Sequence, residues 1–183
     1  MNEGEFATIS SMYVVGGFAG ALFGGPGSTS YGRLLAMQMT SLFFIIGSVL
    51  ESLAGSIVLL SVGRFLAGVG AGASTVIVPL YISEVAPPKE KGLFGSMTQV
   101  SINLGILITQ SLGYYYSHGS SWRIILAVGA GIALLQGIGL FLVPESPKWL
   151  AAHKQSQKAI RTLQRIRGAE NSIDEEIEGW EVD

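Results

Sequence analysis

Cysteine is absent from this 183-residue chain, and charged side chains are scarce. Without cysteine, the chain has no disulfide framework and no thiolate metal site. Asp, Glu, Lys and Arg make up 13% of the residues, compared with roughly 25% in a typical soluble domain. The formal net charge of −2 lacks the basic surplus that nucleic-acid binding requires, so we expect no nucleic-acid partner.

Groups that could carry enzymatic chemistry are also few. The two histidines, His118 and His153, have no clustered Asp, Glu or Cys beside them, and we interpret both as solvated residues. Gly68, Gly70 and Ala73 resemble a dinucleotide fingerprint in spacing only, because no strand precedes them and no acidic residue follows about 20 positions later. We therefore expect no enzyme activity, no metal site and no cofactor.

Apolar residues, in contrast, form five long runs. They lie near residues 6–25, 34–54, 58–82, 93–116 and 122–143. About 20 apolar residues suffice to cross the hydrocarbon core of a bilayer as a helix, and a chain of this length cannot bury five such runs in a soluble core. We expect an all-α, polytopic membrane helix bundle over residues 1–146, with the lipid bilayer as its surroundings.

The positions of Lys and Arg predict the orientation of this bundle. Nine of the eleven cations fall in a 26–33 loop, in an 84–92 loop, or in the run from Lys148 to Arg167. Cationic loops stay on the cytoplasmic side, so the N-terminus is expected to be external or lumenal and the C-terminus cytosolic. The remaining two, Arg64 and Arg123, then lie at outer ends of spans.

After Pro147 the pattern changes to that of cytosolic amphipathic helices over residues 147–183. Apolar residues recur at helical spacing from Ala159 to Ile166, with Lys and Arg on the opposite face. Gly168 is a helix stop, and Ser172 with Glu175 has the pattern of a capping box for a second, acidic helix over 174–180.

Small residues mark where the spans are expected to pack closely. Gly16, Gly20 and Gly24 are spaced by four on the first span, and Gly68 and Gly72 by four on the third. Helices in lipid associate through such small residues because their backbones can then approach one another. Helix packing is the interpretation that we favour for these glycines.

Three amides form a stripe along the fourth span. Gln99, Asn103 and Gln110 fall within about 40° of one another at 100° per residue. Amides facing lipid would leave donors and acceptors unsatisfied at several kcal/mol each, so they face other helices or a wet cavity. Helix–helix contact is one alternative, but a cavity that binds a multi-hydroxyl solute better explains three amides on one face.

Arg64 begins a glycine-lined stretch on the third span. An arginine at the edge of the hydrocarbon is costly unless it is paired or reaches the surface. It either extends to the outer surface, pairs with Glu51 at the end of the second span, or pairs with a carboxylate outside these residues. At the opposite end, Glu84, Lys89 and Lys91 form a candidate charge cluster that breaks when the protein changes shape.

Several motifs resemble the sugar porter family of the major facilitator superfamily, which contains the facilitative glucose transporters. "GRFLAGVGAG" at 63–72 and "PLYISEVAP" at 79–87 are similar to the family's fourth-helix pattern, with Lys91-Gly92 in place of Arg-Gly. "PESPKWL" at 144–150 resembles the signature that closes the sixth helix, and "WR" at 122–123 resembles its start. The loop "GGPGSTSYGRL" departs from the family pattern at Thr29 and Leu34, which predicts a weakened inner gate.

The resemblance implies a partial N-terminal half of a transporter. The five spans align with helices two to six, so the first helix and the C-terminal half of the parent transporter are expected as missing partners. It implies that Gln99 contacts the sugar and that Arg64 lies at a proton-coupling site. The implied substrate-binding set is Gln99, Asn103, Gln110, Thr75, Ile102 and Ile106, and the implied cytoplasmic gate is Arg33, Glu84 and Lys91.

The implied function is transmembrane movement of a hexose or related polyol by alternating access, as a uniporter or a proton symporter, in the plasma or vacuolar membrane. Two alternatives stay open. One is a non-transporting regulatory or sensor membrane protein, and the other is a transporter of a different small organic solute.

Overall fold

The computed structural model describes residues 3–87, 89–116, 122–168 and 177. Within these ranges the chain folds into helices, which confirms the predicted all-α membrane bundle. In chain order the helices are α1 (Glu3–Tyr31), α2 (Arg33–Ser52), α3 (Ile57–Val85), α4 (Lys91–Tyr116), α5 (Trp122–Leu140), α6 (Pro147–Ala152) and α7 (Ser156–Arg167). The predicted acidic helix over 174–180 and His118 lie outside the described residues, apart from residue 177.

Helix length and composition decide which elements can cross a membrane. Helices α1 to α4 are each long and apolar enough to do so, whereas the apolar part of α5, Ile124–Leu140, is shorter. α1 and α3 have 29 residues each, which at 1.5 Å per residue is about 44 Å and exceeds a hydrocarbon core of about 30 Å. Both helices are therefore longer than the hydrocarbon core that they could cross.

The polar segment predicted as a loop at 26–33 is largely helical. α1 passes through Pro26 and ends at Tyr31, and the chain breaks only at Gly32, whose φ is +104°. Hydroxyls support this last stretch, because Ser28 and Thr29 both donate to the carbonyl of Gly25 at 2.8 and 3.2 Å. α2 then begins at the next residue, so the first connection is a single glycine.

α1 and α3 pack with their backbones in direct contact. A Cβ added at Gly16 or Gly20 would collide with the backbone carbonyls of Phe65 and Val69. From the other side, a Cβ added at Gly72 would collide with the backbone of Gly17. The glycines spaced by four therefore form the packing surface between α1 and α3, which confirms the prediction from sequence on both helices.

α4 is placed differently from the other long helices. None of its described residues is buried, and it contacts α3 and α5 along short stretches, whereas α2 packs extensively on α3 and α5. An open groove consequently runs between α3 and α4.

The segment after α5 packs against the end of the bundle where α1 and α3 end. Ser146 caps α6 by accepting a hydrogen bond from the Trp149 amide at 3.2 Å, and Pro147 occupies the first turn. α7 is amphipathic, with Ala159 and Leu163 fully buried, and it ends at Gly168 with φ +87°, the stop that the sequence predicts.

Candidate functional site

The groove between α3 and α4 has a volume of about 700 Å³ and a mixed polar and apolar lining. α2 and α5 each close part of it with one side chain, Phe44 and Gln136 respectively. Its lining comprises Phe44, Ser74, Thr75, Val78, Pro79, Ile82, Ser83, Lys91, Gly95, Thr98, Gln99, Ser101, Ile102 and Gln136. This size and mixture suit a small polar solute.

Three residues predicted to bind substrate meet in this groove, namely Thr75 from α3 and Gln99 and Ile102 from α4. The hydroxyl of Thr75 donates to the carbonyl of Gly72 at 2.7 Å, which leaves its oxygen free to accept from a ligand. Gln99 is exposed to the groove, so its amide can both donate and accept.

The rest of the predicted amide stripe continues along α4 outside the groove lining. Gln99 donates to Asn103 at 3.4 Å, while Ile106 and Gln110 are exposed further towards the end of the helix. Their part in binding stays a prediction. Gln136, in contrast, lines the groove although the sequence reasoning did not select it, because a lone amide on an apolar helix carries no periodic signal.

Where α2 begins and α3 ends, Arg33 and Glu84, two of the three residues predicted to form a gate, make an ion pair. The Arg33 Nε and Nη2 atoms donate to the two carboxylate oxygens of Glu84 at 3.0 and 2.9 Å. The third contact of the guanidinium is from Nη1 to the carbonyl of Ser28 at 2.9 Å. Both side chains are about nine-tenths buried, so this bidentate pair fastens the start of α2 to the end of α3.

Lys91 stands apart from this pair. It is exposed at the first residue of α4 and lines the groove. Among the residues that the structure describes, no carboxylate lies within 4.0 Å of its ammonium group. The charged contact at this end is therefore between Arg33 and Glu84, without the lysine.

Glu145 is the main residue of this end that sequence reasoning missed. Its carboxylate accepts from the backbone amides of Arg33 at 3.0 Å and Leu34 at 3.1 Å, and from its own neighbour Ser146 at 2.9 Å. It therefore caps α2 from a position 112 residues away. The sequence shows this residue only as the acid within "PESPKWL", and nothing in that motif indicates a contact with α2.

Further contacts join the segment after α5 to the ends of α1 and α3. The Trp149 indole donates to the Thr29 carbonyl at 2.7 Å, and the Tyr81 hydroxyl donates to the Pro144 carbonyl at 2.7 Å. Arg167, in the last turn of α7, donates to the carbonyl of Val85 at 2.8 Å. Three separate side chains thus fix α6 and α7 to the bundle.

At the opposite end of the bundle, Arg64 lies beside Glu51. Its Nε atom is 3.6 Å from a carboxylate oxygen of Glu51. Of the three alternatives for this arginine, the described residues therefore support the pairing with the end of α2.

Comparisons with known proteins agree with this architecture. The family model "Sugar (and other) transporter" matches residues 3–181. A probable metabolite transport protein of Saccharomyces cerevisiae is 36% identical over 99% of this chain and 37% of its own length. The sugar transporter ERD6-like 9 of Arabidopsis thaliana is 36% identical over 95% of this chain and 52% of its own length.

Solved structures give the same result. The xylose transporter XylE from E. coli, in a partially occluded inward-open conformation, matches with a TM-score of 0.81 and 25% identity, covering 92% of this chain and 45% of that one. A structure of the same proton:xylose symporter bound to 6-bromo-6-deoxy-D-glucose matches with a TM-score of 0.80 and 26% identity, over 86% of this chain and 39% of that one.

The chain spans between about a third and a half of the length of the curated relatives that it matches. Membership of one family explains the helices, the sequence motifs around α3 and α5, and these matches. The chain is a multi-pass membrane protein that belongs to the sugar (and other) transporter family of the major facilitator superfamily and covers part of its fold.

Proposed function

We propose that this chain forms part of a transporter that moves a monosaccharide or related polyol across the membrane by alternating access, as a uniporter or proton symporter. The observation that carries the proposal is the groove between α3 and α4, where Thr75 and Gln99 offer hydrogen-bonding groups from two helices. Relatives named as sugar transporters, including the glucose transporter GlcP of Staphylococcus epidermidis at 31% identity, support the same substrate class.

The chemistry of the groove suits a sugar. A sugar hydroxyl donates and accepts, and so does an amide, which allows Gln99 to bind a hydroxyl pair without any charge. Ile102 supplies an apolar surface of the kind that packs on the C–H face of a sugar ring, and the Thr75 oxygen adds an acceptor on the opposite wall. We assign Asn103, Ile106 and Gln110 to the continuation of the same solute path along α4.

The charge distribution supports an orientation with the Arg33 end in the cytosol. Nine of the eleven Lys and Arg residues lie at that end of the membrane helices or in the segment from Lys148 to Arg167. The N-terminus of α1 would then be external or lumenal, in a plasma or vacuolar membrane. In this orientation Arg33 and Glu84 act as a cytoplasmic gate whose separation accompanies inward opening, with Glu145 holding α2 in place.

The test is sugar uptake by the full-length natural polypeptide in a host that lacks hexose uptake. Replacing Gln99 by Ala removes hydrogen bonds worth about 1–3 kcal/mol, so the apparent sugar affinity should fall by about tenfold to a hundredfold. Gln157, an exposed amide on α7, provides the matched control, and Gln157→Ala should transport normally.

Two results would contradict the proposal. Unchanged affinity in Gln99→Ala would remove the groove from the solute path. A wild-type protein that inserts into the membrane and binds sugar, yet moves none, would favour the sensor alternative.

A further inference from the structure

A second groove lies between α1 and α2, with α3 as its floor, and has a volume of about 660 Å³. Both helices pack extensively along α3 but contact each other far less, and Gly32 joins them at one end. Ala73 lines this groove and Thr75 lines the candidate sugar groove. At 100° per residue these two positions lie about 160° apart around α3, so the grooves are on opposite sides of that helix.

The lining of the α1–α2 groove is almost entirely apolar. Its hydroxyls, Ser28 and Thr40, are buried. Each donates at 2.8 Å to a backbone carbonyl of its own helix, that of Gly25 or Met37. A water molecule in a cavity needs about two to four polar partners, and a sugar needs more, so this lining suits an apolar occupant.

The length of the groove matches one leaflet of a bilayer. Along α1 the groove extends from Ala19 to Tyr31, which at 1.5 Å per residue is about 18 Å. Half of a hydrocarbon core of about 30 Å is about 15 Å. A groove of this length that begins at the membrane surface ends near the centre of the bilayer, which is the depth that a phospholipid acyl chain occupies.

Glycines leave the α1 wall of the groove without side chains. A Cβ at Gly20 would collide with the backbone of Val69, and one at Gly24 would lie 3.0 Å from the Cα of Ala73. A Cβ at Gly27 would meet nothing within 4 Å. The first two glycines therefore serve the packing on α3, whereas Gly27 leaves space open in the groove.

The closed end of the groove lies beside a basic segment, residues 148–167. Trp149 in this segment donates its indole N–H to the Thr29 carbonyl at 2.7 Å, and its ring lies 3.6 Å from the position of a Cβ at Gly32. The segment contains six Lys and Arg residues and no Asp or Glu. A headgroup at this end would therefore meet positive charge, together with an aromatic side chain of the kind that is enriched at membrane surfaces.

We propose that the α1–α2 groove binds an acyl chain of an anionic phospholipid, whose headgroup lies against the exposed cations Lys148 and Lys154. The proposal goes beyond the transport function and does not depend on it. The apolar lining selects the acyl chain, and the basic segment selects the charge of the headgroup. Such a lipid contacts α1, α2 and α6 at once and so holds the basic segment against the bundle.

The first test measures lipid that stays bound to the full-length natural polypeptide. The protein is extracted from bilayers with equal amounts of phosphatidylserine and phosphatidylcholine, and native mass spectrometry identifies the retained lipid. Wild type should retain phosphatidylserine at least about fivefold over phosphatidylcholine, because each Lys or Arg near an anionic headgroup strengthens binding about fivefold.

Gly27→Leu places a side chain in the groove. Each methylene group of the lipid that it displaces should weaken binding about fourfold, so total lipid retention should fall at least about tenfold. Gly131→Leu on α5, where a Cβ also meets nothing within 4 Å, is the matched control and should retain lipid as wild type does. If Gly27→Leu does not fold, Met39→Trp narrows the groove from the exposed rim of α2 and should have the same effect.

The second test concerns the headgroup. Replacing both Lys148 and Lys154 by Gln should lower the preference for phosphatidylserine at least about fivefold and leave the retention of phosphatidylcholine unchanged. Replacing both by Arg should keep the preference, because the charge is kept.

Three results would overturn the proposal. They are wild-type lipid retention in the folded groove variants, equal retention of the two lipids by the wild type, and an unchanged preference after both lysines are replaced by Gln. None of these measurements involves sugar uptake, so a protein that moves no sugar would count against the transport function alone.

Discussion

Replacing Glu145 by alanine should destabilise the end of the bundle where α2 begins, because this carboxylate binds several backbone amides there. The three backbone amides that it binds, at Arg33, Leu34 and Ser146, lie 2.9–3.1 Å from its oxygens. Gly32, the residue before α2, offers no side chain that could replace it. Loss of a capping group costs about 1 kcal/mol. Each hydrogen bond to a charged group contributes about 1.5–3 kcal/mol to stability, and less where water can bind the freed amide.

Because the site is half-buried, water restores part of this loss, and we expect a decrease of about 3 kcal/mol in the free energy of unfolding. Glu145→Gln should lose about 1 kcal/mol, since its amide oxygen still accepts a hydrogen bond. SDS-induced unfolding in detergent micelles measures both, with helical circular dichroism and tryptophan fluorescence as signals. Glu90→Ala is the matched control and should remain within about 0.5 kcal/mol of wild type.

Gly32 supplies an internal check on the same contact. A Cβ at this position would lie 2.5 Å from a Glu145 carboxylate oxygen, and φ of +104° is unfavourable for any other residue. Gly32→Ala and Glu145→Ala should therefore be non-additive, because the second change removes the atom that the first one strikes. Glu145→Ala with wild-type stability, or strict additivity of the two changes, would refute the proposed capping role.

Other contacts give further predictions. Gly72→Ala should lower the free energy of unfolding by about 3 kcal/mol, because its Cβ would strike the backbone of Gly17 and force α1 and α3 apart. Gly27→Ala is the control and should be neutral or stabilising in the same unfolding assay, because a Cβ there meets nothing within 4 Å. Equal effects of the two substitutions would contradict the packing surface. Arg33→Lys should cost about 2 kcal/mol despite its retained charge, because an ammonium group cannot reproduce the two-bond contact with Glu84; unchanged stability would show that charge alone suffices.

The general fold follows from sequence because hydropathy and helical spacing act locally. Five apolar runs and the spaced glycines are enough to anticipate five helices and the α1–α3 packing surface. The end of α1 was less predictable, since "GPGSTSY" reads as a loop by composition. Hydroxyl-to-carbonyl bonds from Ser28 and the indole contact of Trp149 with Thr29 keep it helical.

The candidate site was predictable only in part, for a similar reason. Gln99 was selected by its position in a stripe, but which members of the stripe face the groove depends on how α4 leans on α3. Glu145 acts through α2, at a separation of 112 residues that no local pattern reveals, whereas Glu51 was one of the partners that the sequence suggested for Arg64. Arg33 and Glu84 were found because the motifs that contain them resemble those of a known family.

The glycine contacts between α1 and α3 have a mechanical consequence. Two helices whose backbones touch over three turns cannot slide or rotate past one another without first separating, so they behave as one stiff rod. α4, which buries none of its residues against the described helices, is under no such restraint. Among the described helices, α4 is therefore free to tilt against its neighbours, whereas α1 and α3 can move only together.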